Sequence, residues 1–189
     1  MALFYRGAGL GTFWHDHNPC LQGFTAHMPG ADASPNRLMD HITNLTTKSP
    51  FISLTRSYGV AEGYAWLGKA KPTKQKPAFV WEVELNEPLP HGVHLIDPVQ
   101  LIATHLPAPA GHLSYHHDGS GHVLLGLVDP GQQDLLFAPV PRPRGSGGAR
   151  KPPNLSLELQ TLVRALRDAE VLAIGAVPAS CVRGPYEVY

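Results

Sequence analysis

Apolar residues recur with two different periods along the chain, and the two periods predict helices and strands in different places. A spacing of three to four residues predicts amphipathic helices over 35–45 and 155–167, and a further helix follows Ser57, a suitable N-cap residue. Alternating positions and short apolar runs predict strands. The predicted strands are 2–5, 51–55, 79–85, 93–96, 100–104, 122–128, 134–140, 171–174 and 181–188. This mixture predicts the α+β class.

The length of the chain suits one domain. With 189 residues it can bury a core of its own, so we expect a single domain over 1–189. Between 107 and 153 the composition changes, and we interpret this stretch as an insertion with a hairpin and a mobile linker that is rich in Gly and Pro.

Charge and hydropathy exclude several functional classes. The 15 basic and 15 acidic residues balance, which argues against a dedicated nucleic-acid binder. No stretch approaches the roughly 18 apolar residues of a membrane span, so we expect a soluble protein without a membrane partner. Two cysteines, Cys20 and Cys181, are too few for a disulfide framework. We expect free thiols, with a single disulfide as the alternative.

Histidine is abundant, with 11 residues in the chain. His15 and His17 flank Asp16, and a second group lies between His112 and His122. Neither group has Cys or Glu at a known ligand spacing, and both lie in predicted loops. We therefore expect hydrogen-bonded loop histidines and no metal.

Three short stretches carry residue types suited to one reaction, the cleavage of the bond between ribose and nicotinamide in NAD. They are 5–7 (Tyr-Arg-Gly), 51–55 (Phe-Ile-Ser-Leu-Thr) and 168–171 (Asp-Ala-Glu-Val). An arginine can bind phosphate oxygens with two donors, and a hydroxyl can position a carboxylate. A glutamate can accept a hydrogen bond from the ribose and stabilise the cation that develops on the sugar.

In this order, the stretches resemble the motifs of the arginine-serine-glutamate class of mono-ADP-ribosyltransferases, to which the catalytic subunit of cholera toxin belongs. Residues 38–41 (Leu-Met-Asp-His) also resemble a helical Leu-Tyr-Asp-His motif of those toxins. Gly175, Pro178 and Ser180 resemble the residues that follow the glutamate. The resemblance covers about residues 1 to 105 and 155 to 189, and the stretch between them does not match.

The resemblance implies a fold and a set of roles. The fold is a split β-sandwich of two roughly perpendicular sheets with flanking helices. Arg6 would bind the NAD phosphates, Gly7 would offer backbone contacts to nicotinamide, Ser53 would orient the glutamate, and Glu170 would be catalytic. The resemblance extends the NAD-binding set to three more residues, which are His41, Thr55 and Tyr58.

Three positions depart from the family pattern. Leu54 and Thr55 replace the usual Thr and Ser, and Asp168 stands where the family has Glu or Gln. Because the carboxylate of Asp168 can pair with a guanidinium, we expect it to face a protein arginine as the acceptor.

The resemblance thus implies a toxin-like or effector-like enzyme that uses NAD as a substrate and transfers ADP-ribose to a macromolecular acceptor, a protein in preference to a nucleic acid. It would act in the cytoplasm, with delivery as the catalytic domain of a secreted toxin as one option. A cognate inhibitor or immunity protein is an implied partner. Two alternatives stay open: an NAD glycohydrolase, and a catalytically inactive binding domain of the same fold.

Overall fold

A computed structural model describes residues 2–44, 48–104, 114–117, 122–125 and 157–189, and within them it confirms the α+β class. The strands are β1 (Ala2–Ala8), β2 (Phe51–Thr55), β3 (Ala78–Leu85), β4 (His94–Ile96), β5 (Ser114–His117), β6 (His122–Leu125), β7 (Glu170–Ile174) and β8 (Val182–Val188). The α-helices are α1 (Phe13–Asp16), α2 (Pro19–Gln22), α3 (Pro35–Asn44), α4 (Tyr58–Ala65), α5 (Pro98–Ala103) and α6 (Leu157–Arg167). A 3₁₀ turn spans Ala179–Cys181.

Six of these strands form one antiparallel sheet in the order β4-β7-β2-β1-β3-β8. At its centre, β1 and β2 meet at a single residue pair, Tyr5 with Thr55, whereas β1 and β3 pair continuously from Ala2 with Leu85 to Ala8 with Phe79. The sheet therefore consists of two three-stranded halves joined at a narrow seam. Where the resemblance implied two roughly perpendicular sheets, six of the described strands form one hydrogen-bonded sheet, and β5 and β6 pair separately.

Different elements cover the two faces of the sheet, and on one face they also differ between the two halves. The segment 13–26 covers one face with Trp14 and Phe24, which pack against the largest core cluster. On the other face, α4 covers β1 and β3, while α3, α5 and α6 surround a second cluster over β2 and β7. The helices thus form two groups, and a cleft lies between them above the seam.

Several boundaries differ from the sequence-based prediction. The strand predicted over 2–5 continues to Ala8, because Arg6, Gly7 and Ala8 pair with β3. Residues 13–22, predicted as loop, contain α1 and α2. The strand predicted over 100–104 is wrong: Asp97 caps the amides of Val99 and Gln100, and Pro98 starts helix α5.

The predicted insertion is described only in part. The strand predicted over 122–128 appears as β6, and it pairs with the preceding β5. The strand predicted over 134–140 and the linker over 141–153 lie outside the described residues. Of the helices in the described ranges, none is long and apolar enough to cross a membrane. Both cysteines are free thiols, as predicted.

Gly7 is required by the close approach of α4 to β1. A Cβ atom added to Gly7 would lie 2.0 Å from the carbonyl oxygen of Ala61 and 2.7 Å from the amide nitrogen of Ala65. The small residues of α4 and the missing side chain of Gly7 let helix and strand touch through their backbones.

We expect Gly7→Ala to lower the free energy of unfolding by about 3 kcal/mol or more, since backbone atoms would have to move to admit the methyl group. The matched control is Gly59→Ala in α4, where the nearest atom to an added Cβ is 3.9 Å away. That change should raise stability by up to about 1 kcal/mol. Urea unfolding measures both variants, and equal effects of the two would contradict this account of the packing.

Candidate active site

The cleft above the seam contains most of the residues that the sequence predicted as functional. Its volume is about 190 Å³, its floor comes from β1 and β2, and its walls come from α3, α4 and α6. Glu170 lies at the start of β7. The predicted residues that line the cleft are Arg6, Gly7, His41, Ser53, Thr55, Asp168 and Glu170. Tyr58 is absent from the lining. Residues far apart in sequence thus converge on one cleft, as the hypothesis requires.

Arg6 reaches across the seam. Its Nη1 atom donates a hydrogen bond to the backbone carbonyl of Ser53 in β2, and its guanidinium lies 5.9 Å from the centre of the Phe24 ring. Burial lowers the pKa of Arg6 to about 10, and the nearby carboxylate of Glu170 partly offsets this effect. The Nε atom is buried and has no hydrogen-bond partner among the described residues. A buried donor of this kind favours an anionic ligand.

A chain of hydrogen bonds runs from the end of α3 to Glu170. The buried hydroxyl of Ser49 lies 2.7 Å from Nδ1 of His41, and Nε2 of His41 lies 2.8 Å from the hydroxyl of Ser53. Ser53 in turn acts on Glu170 as a hydrogen-bond donor that lowers the pKa of its carboxyl group. His41 therefore positions Ser53 from the side of α3, and Ser53 positions the carboxylate.

Glu170 is a buried carboxyl group with 9 % exposure. Burial raises its pKa to about 7, even though the hydrogen bond from Ser53 and the charges of Arg6 and Arg167 favour the ionised form; Asp168 adds to the rise. Desolvation thus outweighs the favourable contacts. A carboxyl group that titrates near neutral pH in a cleft is typical of functional sites.

Asp168 has a different environment, although it is only two residues away. Nε and Nη2 of Arg167 donate to its two carboxylate oxygens, each at 2.7 Å, and the hydroxyl of Tyr64 adds a third bond at 2.7 Å. Between the two acids, Ala169 adopts a left-handed conformation with φ of 45°, which ends α6 and starts β7. Both acidic side chains consequently line the same cleft.

These contacts fix the charge state of the neighbours of Asp168. Burial lowers the pKa of Arg167, but its bonds to Asp168 outweigh this, so the net shift is upward and the group stays charged. Burial and the adjacent carboxylate of Asp168 raise the pKa of Tyr64, which keeps the phenol protonated as a donor.

Two of the predicted NAD-binding residues have other roles in the structure. Thr55 is buried, and its hydroxyl donates to the backbone carbonyl of Asp168 and accepts from the amide of Ser57, so it fastens β2 to the acidic segment. Tyr58 is 40 % exposed and packs edge-on against Tyr5 and Tyr186 outside the cleft. Its predicted place in the cleft wall is taken by Tyr64 of the same helix.

The helix period explains why Tyr64, and not Tyr58, lines the cleft. Tyr64 is six positions after Tyr58, and because an α-helix has 3.6 residues per turn, the two side chains lie on different sides of α4. Ala61 and Ala65 are fully buried against β1, and Tyr64 borders this small-residue side. In the sequence, the spacing of Ala61 and Ala65 could have indicated which side of α4 packs against the sheet. No sequence signal identified Arg164 and Arg167, which enter the cleft because of where α6 ends.

His15 and His17, which the sequence predicted as hydrogen-bonded loop residues, lie in and directly after the short helix α1. His15 stacks on Phe79 and contacts the carbonyl oxygen of Pro77, and His17 stacks on Phe13 and contacts its carbonyl. Over the described ranges, no group of three or more His, Cys, Asp or Glu side chains is arranged to hold a metal ion. The side chains of the group between His112 and His122 lie outside the described part.

No protein-family model, curated protein or solved structure matches this chain at a significant level. The geometry of the cleft and the motifs of the sequence therefore carry the proposed function.

The raised pKa of Glu170 predicts that this residue destabilises the fold at alkaline pH. Its pKa is about 7 in the folded protein and near 4.5 as an ordinary carboxyl, so the penalty is absent below pH 4.5, grows between these values and is complete above pH 7. We expect the stability difference between Glu170→Gln and the wild type to rise over this window by up to about 3 kcal/mol. Chemical unfolding at several pH values measures it. The exposed Glu187→Gln is the control, and a difference that does not change with pH would refute the burial argument.

Proposed function

We propose that this protein is an NAD-dependent ADP-ribosyltransferase that cleaves the bond between nicotinamide and ribose and transfers ADP-ribose to a macromolecular acceptor. The observation that carries the proposal is the convergence of a buried guanidinium, a hydroxyl and a carboxylate, from Arg6, Ser53 and Glu170, in one cleft. A split-sandwich fold of the transferase type is part of the same proposal, supported by the narrow seam between β1 and β2.

The cleft fits one end of an NAD molecule. Its volume of about 190 Å³ is below the several hundred Å³ of pockets that enclose a whole ligand of that size. The buried Nε of Arg6, which lacks a partner in the described residues, would donate to a diphosphate oxygen at the inner edge. The nicotinamide ribose would then lie over Ser53 and Glu170.

The proposed chemistry is dissociative. As the bond from C1′ to the nicotinamide nitrogen breaks, its electron pair leaves with the neutral base and positive charge develops on the ribose. The carboxylate of Glu170 stabilises this charge, and the dry surroundings strengthen the interaction. It would also accept a hydrogen bond from the ribose hydroxyl, a contact that strengthens in the transition state. Ser53 and His41 position the carboxylate.

A protein arginine is the proposed acceptor, because Asp168 adds a second carboxylate to the cleft close to Glu170. A guanidinium that enters to attack C1′ from the face opposite nicotinamide would bind there. We propose a toxin-like or effector-like role in the cytoplasm on the resemblance of the sequence motifs alone.

Hydrolysis of NAD is a second candidate, and one observation favours it. Both oxygens of Asp168 are already bound, by Arg167 and Tyr64. Water needs no second carboxylate to be accommodated, so the site as described would accept water as the nucleophile with the same Arg6, Ser53 and Glu170. Rapid release of free ADP-ribose by the purified protein, without labelling of any protein in a lysate, would select this candidate.

We expect Glu170→Gln to lower NAD cleavage by at least about 100-fold, since an amide cannot stabilise the sugar cation. Nicotinamide release from purified protein, together with labelling of lysate proteins from labelled NAD, measures the loss. The variant should remain folded, which the unfolding measurements establish separately. Exposed Glu187 provides the control, and Glu187→Gln should keep wild-type rates. Undiminished cleavage in Glu170→Gln would overturn the proposal.

The pH dependence of cleavage follows from the same carboxyl group. Because the active form is the carboxylate and the pKa of Glu170 is about 7, we expect kcat/KM to rise with pH up to a midpoint near 7 and to level off above it. Initial rates at limiting NAD over the range from about pH 5 to pH 9 measure the profile. A rate that is constant below pH 6, or that falls with rising pH, would exclude an essential carboxylate at this position.

A further inference from the structure

A guanidinium–carboxylate pair formed by the chain itself lies inside the cleft. Arg167 and Asp168 bond through two parallel contacts of 2.7 Å, and their side chains are only 13 % and 7 % exposed. Tyr64 holds the same carboxylate from α4. The proposed reaction gives no role to this guanidinium.

The position of the pair bears on the acceptor. Asp168 and Glu170 are the carboxylates among the residues that line the cleft. Glu170 is assigned to the ribose, which leaves Asp168 as the partner for a cationic acceptor. Arg167 already binds both of its oxygens in the two-pronged geometry that an incoming guanidinium would adopt.

We propose that Arg167 is a specificity-determining residue that occupies the acceptor position at Asp168, so that only an arginine presented on a protein displaces it. This inference rests on the proposed function. A partner within the same chain acts at an effective concentration on the order of mM or more, so a small free guanidine competes poorly with it. A protein acceptor adds contacts outside the cleft, and those contacts make displacement favourable.

Once Arg167 is displaced, ADP-ribose can be transferred to the acceptor arginine. A nitrogen of the acceptor guanidinium forms a bond to C1′, and the bond from C1′ to nicotinamide breaks with its electron pair on the departing base. The proton lost by the acceptor nitrogen passes to the carboxylate of Asp168. Arg167 keeps its charge and takes no part in the covalent step.

Two variants test the inference. With NAD and millimolar agmatine, a small guanidine, ADP-ribosylagmatine and free ADP-ribose are quantified together, and their ratio reports how the sugar cation partitions between the two nucleophiles. We expect a ratio at least tenfold higher in Arg167→Gln than in the wild type. Arg167→Lys keeps the positive charge but cannot donate two parallel hydrogen bonds to Asp168, so we expect a smaller rise in this ratio. The ratio does not depend on the folded fraction of either variant.

Arg164→Gln is the matched control. Arg164 also lines the cleft, but its guanidinium donates to the carbonyl oxygens of Ile42 and Thr43 and not to Asp168. Its removal should leave the product ratio unchanged. An equal rise in this control would overturn the inference, because it would show a general loosening of the cleft.

Other outcomes separate the inference from the proposed function. NAD cleavage with an unchanged product ratio in both Arg167 variants would overturn the inference alone. ADP-ribose attached to Arg167 of the wild type would also overturn it, since that residue would then be an acceptor and not a competitor. No NAD cleavage by the wild-type protein would overturn the proposed function and the inference with it.

Discussion

The contact between the Arg6 guanidinium and the Ser53 carbonyl determines the arrangement at the centre of this protein. It spans the seam where β1 and β2 share only the pair of Tyr5 and Thr55. A buried charge is tolerated only with partners, and here they are a backbone dipole and the carboxylate of Glu170. Strands β1 and β2 can therefore separate on the Ser53 side of the pair formed by Tyr5 and Thr55, because Arg6 satisfies the carbonyl of Ser53. The opening above them is the cleft.

Two carboxyl groups separated by one residue have opposite electrostatic environments. Asp168 has a guanidinium and a phenol as direct donors, whereas Glu170 has one hydroxyl donor and feels its cationic neighbours only as more distant charges. At Glu170 burial outweighs the hydrogen bond from Ser53 and the charges of Arg6 and Arg167, and the pKa rises. The two carboxyl groups therefore have different hydrogen-bond donors within the same cleft. The left-handed Ala169 makes the separation, since it directs the chain from the end of α6 into β7.

The sequence predicted most of the elements and the contents of the cleft, because both depend on local patterns. Periodicity located α3, α6 and most of β3, and the three motifs named Arg6, Ser53 and Glu170, which line one cleft. It did not predict that β1 and β2 join the two halves in one sheet, since strand pairing over long separations leaves no local trace. That Tyr64 lines the cleft and the predicted Tyr58 does not has a related reason: the side of α4 that faces the cleft is set by contact with Gly7. The role of Thr55 depends on a bond to a residue more than a hundred positions away.

The direction of the hydrogen bonds that end at Glu170 follows from the donors available. An ionised carboxylate only accepts, so Ser53 must direct its single proton to Glu170. In the tautomer that fits this arrangement, Nε2 of His41 donates to the oxygen of Ser53 and Nδ1 accepts from the hydroxyl of Ser49. Each member thus fixes the orientation of the next, from the loop after α3 to the first residue of β7. The carboxylate is held by a donor whose own position is fixed, and it can meet a developing positive charge without having to reorient.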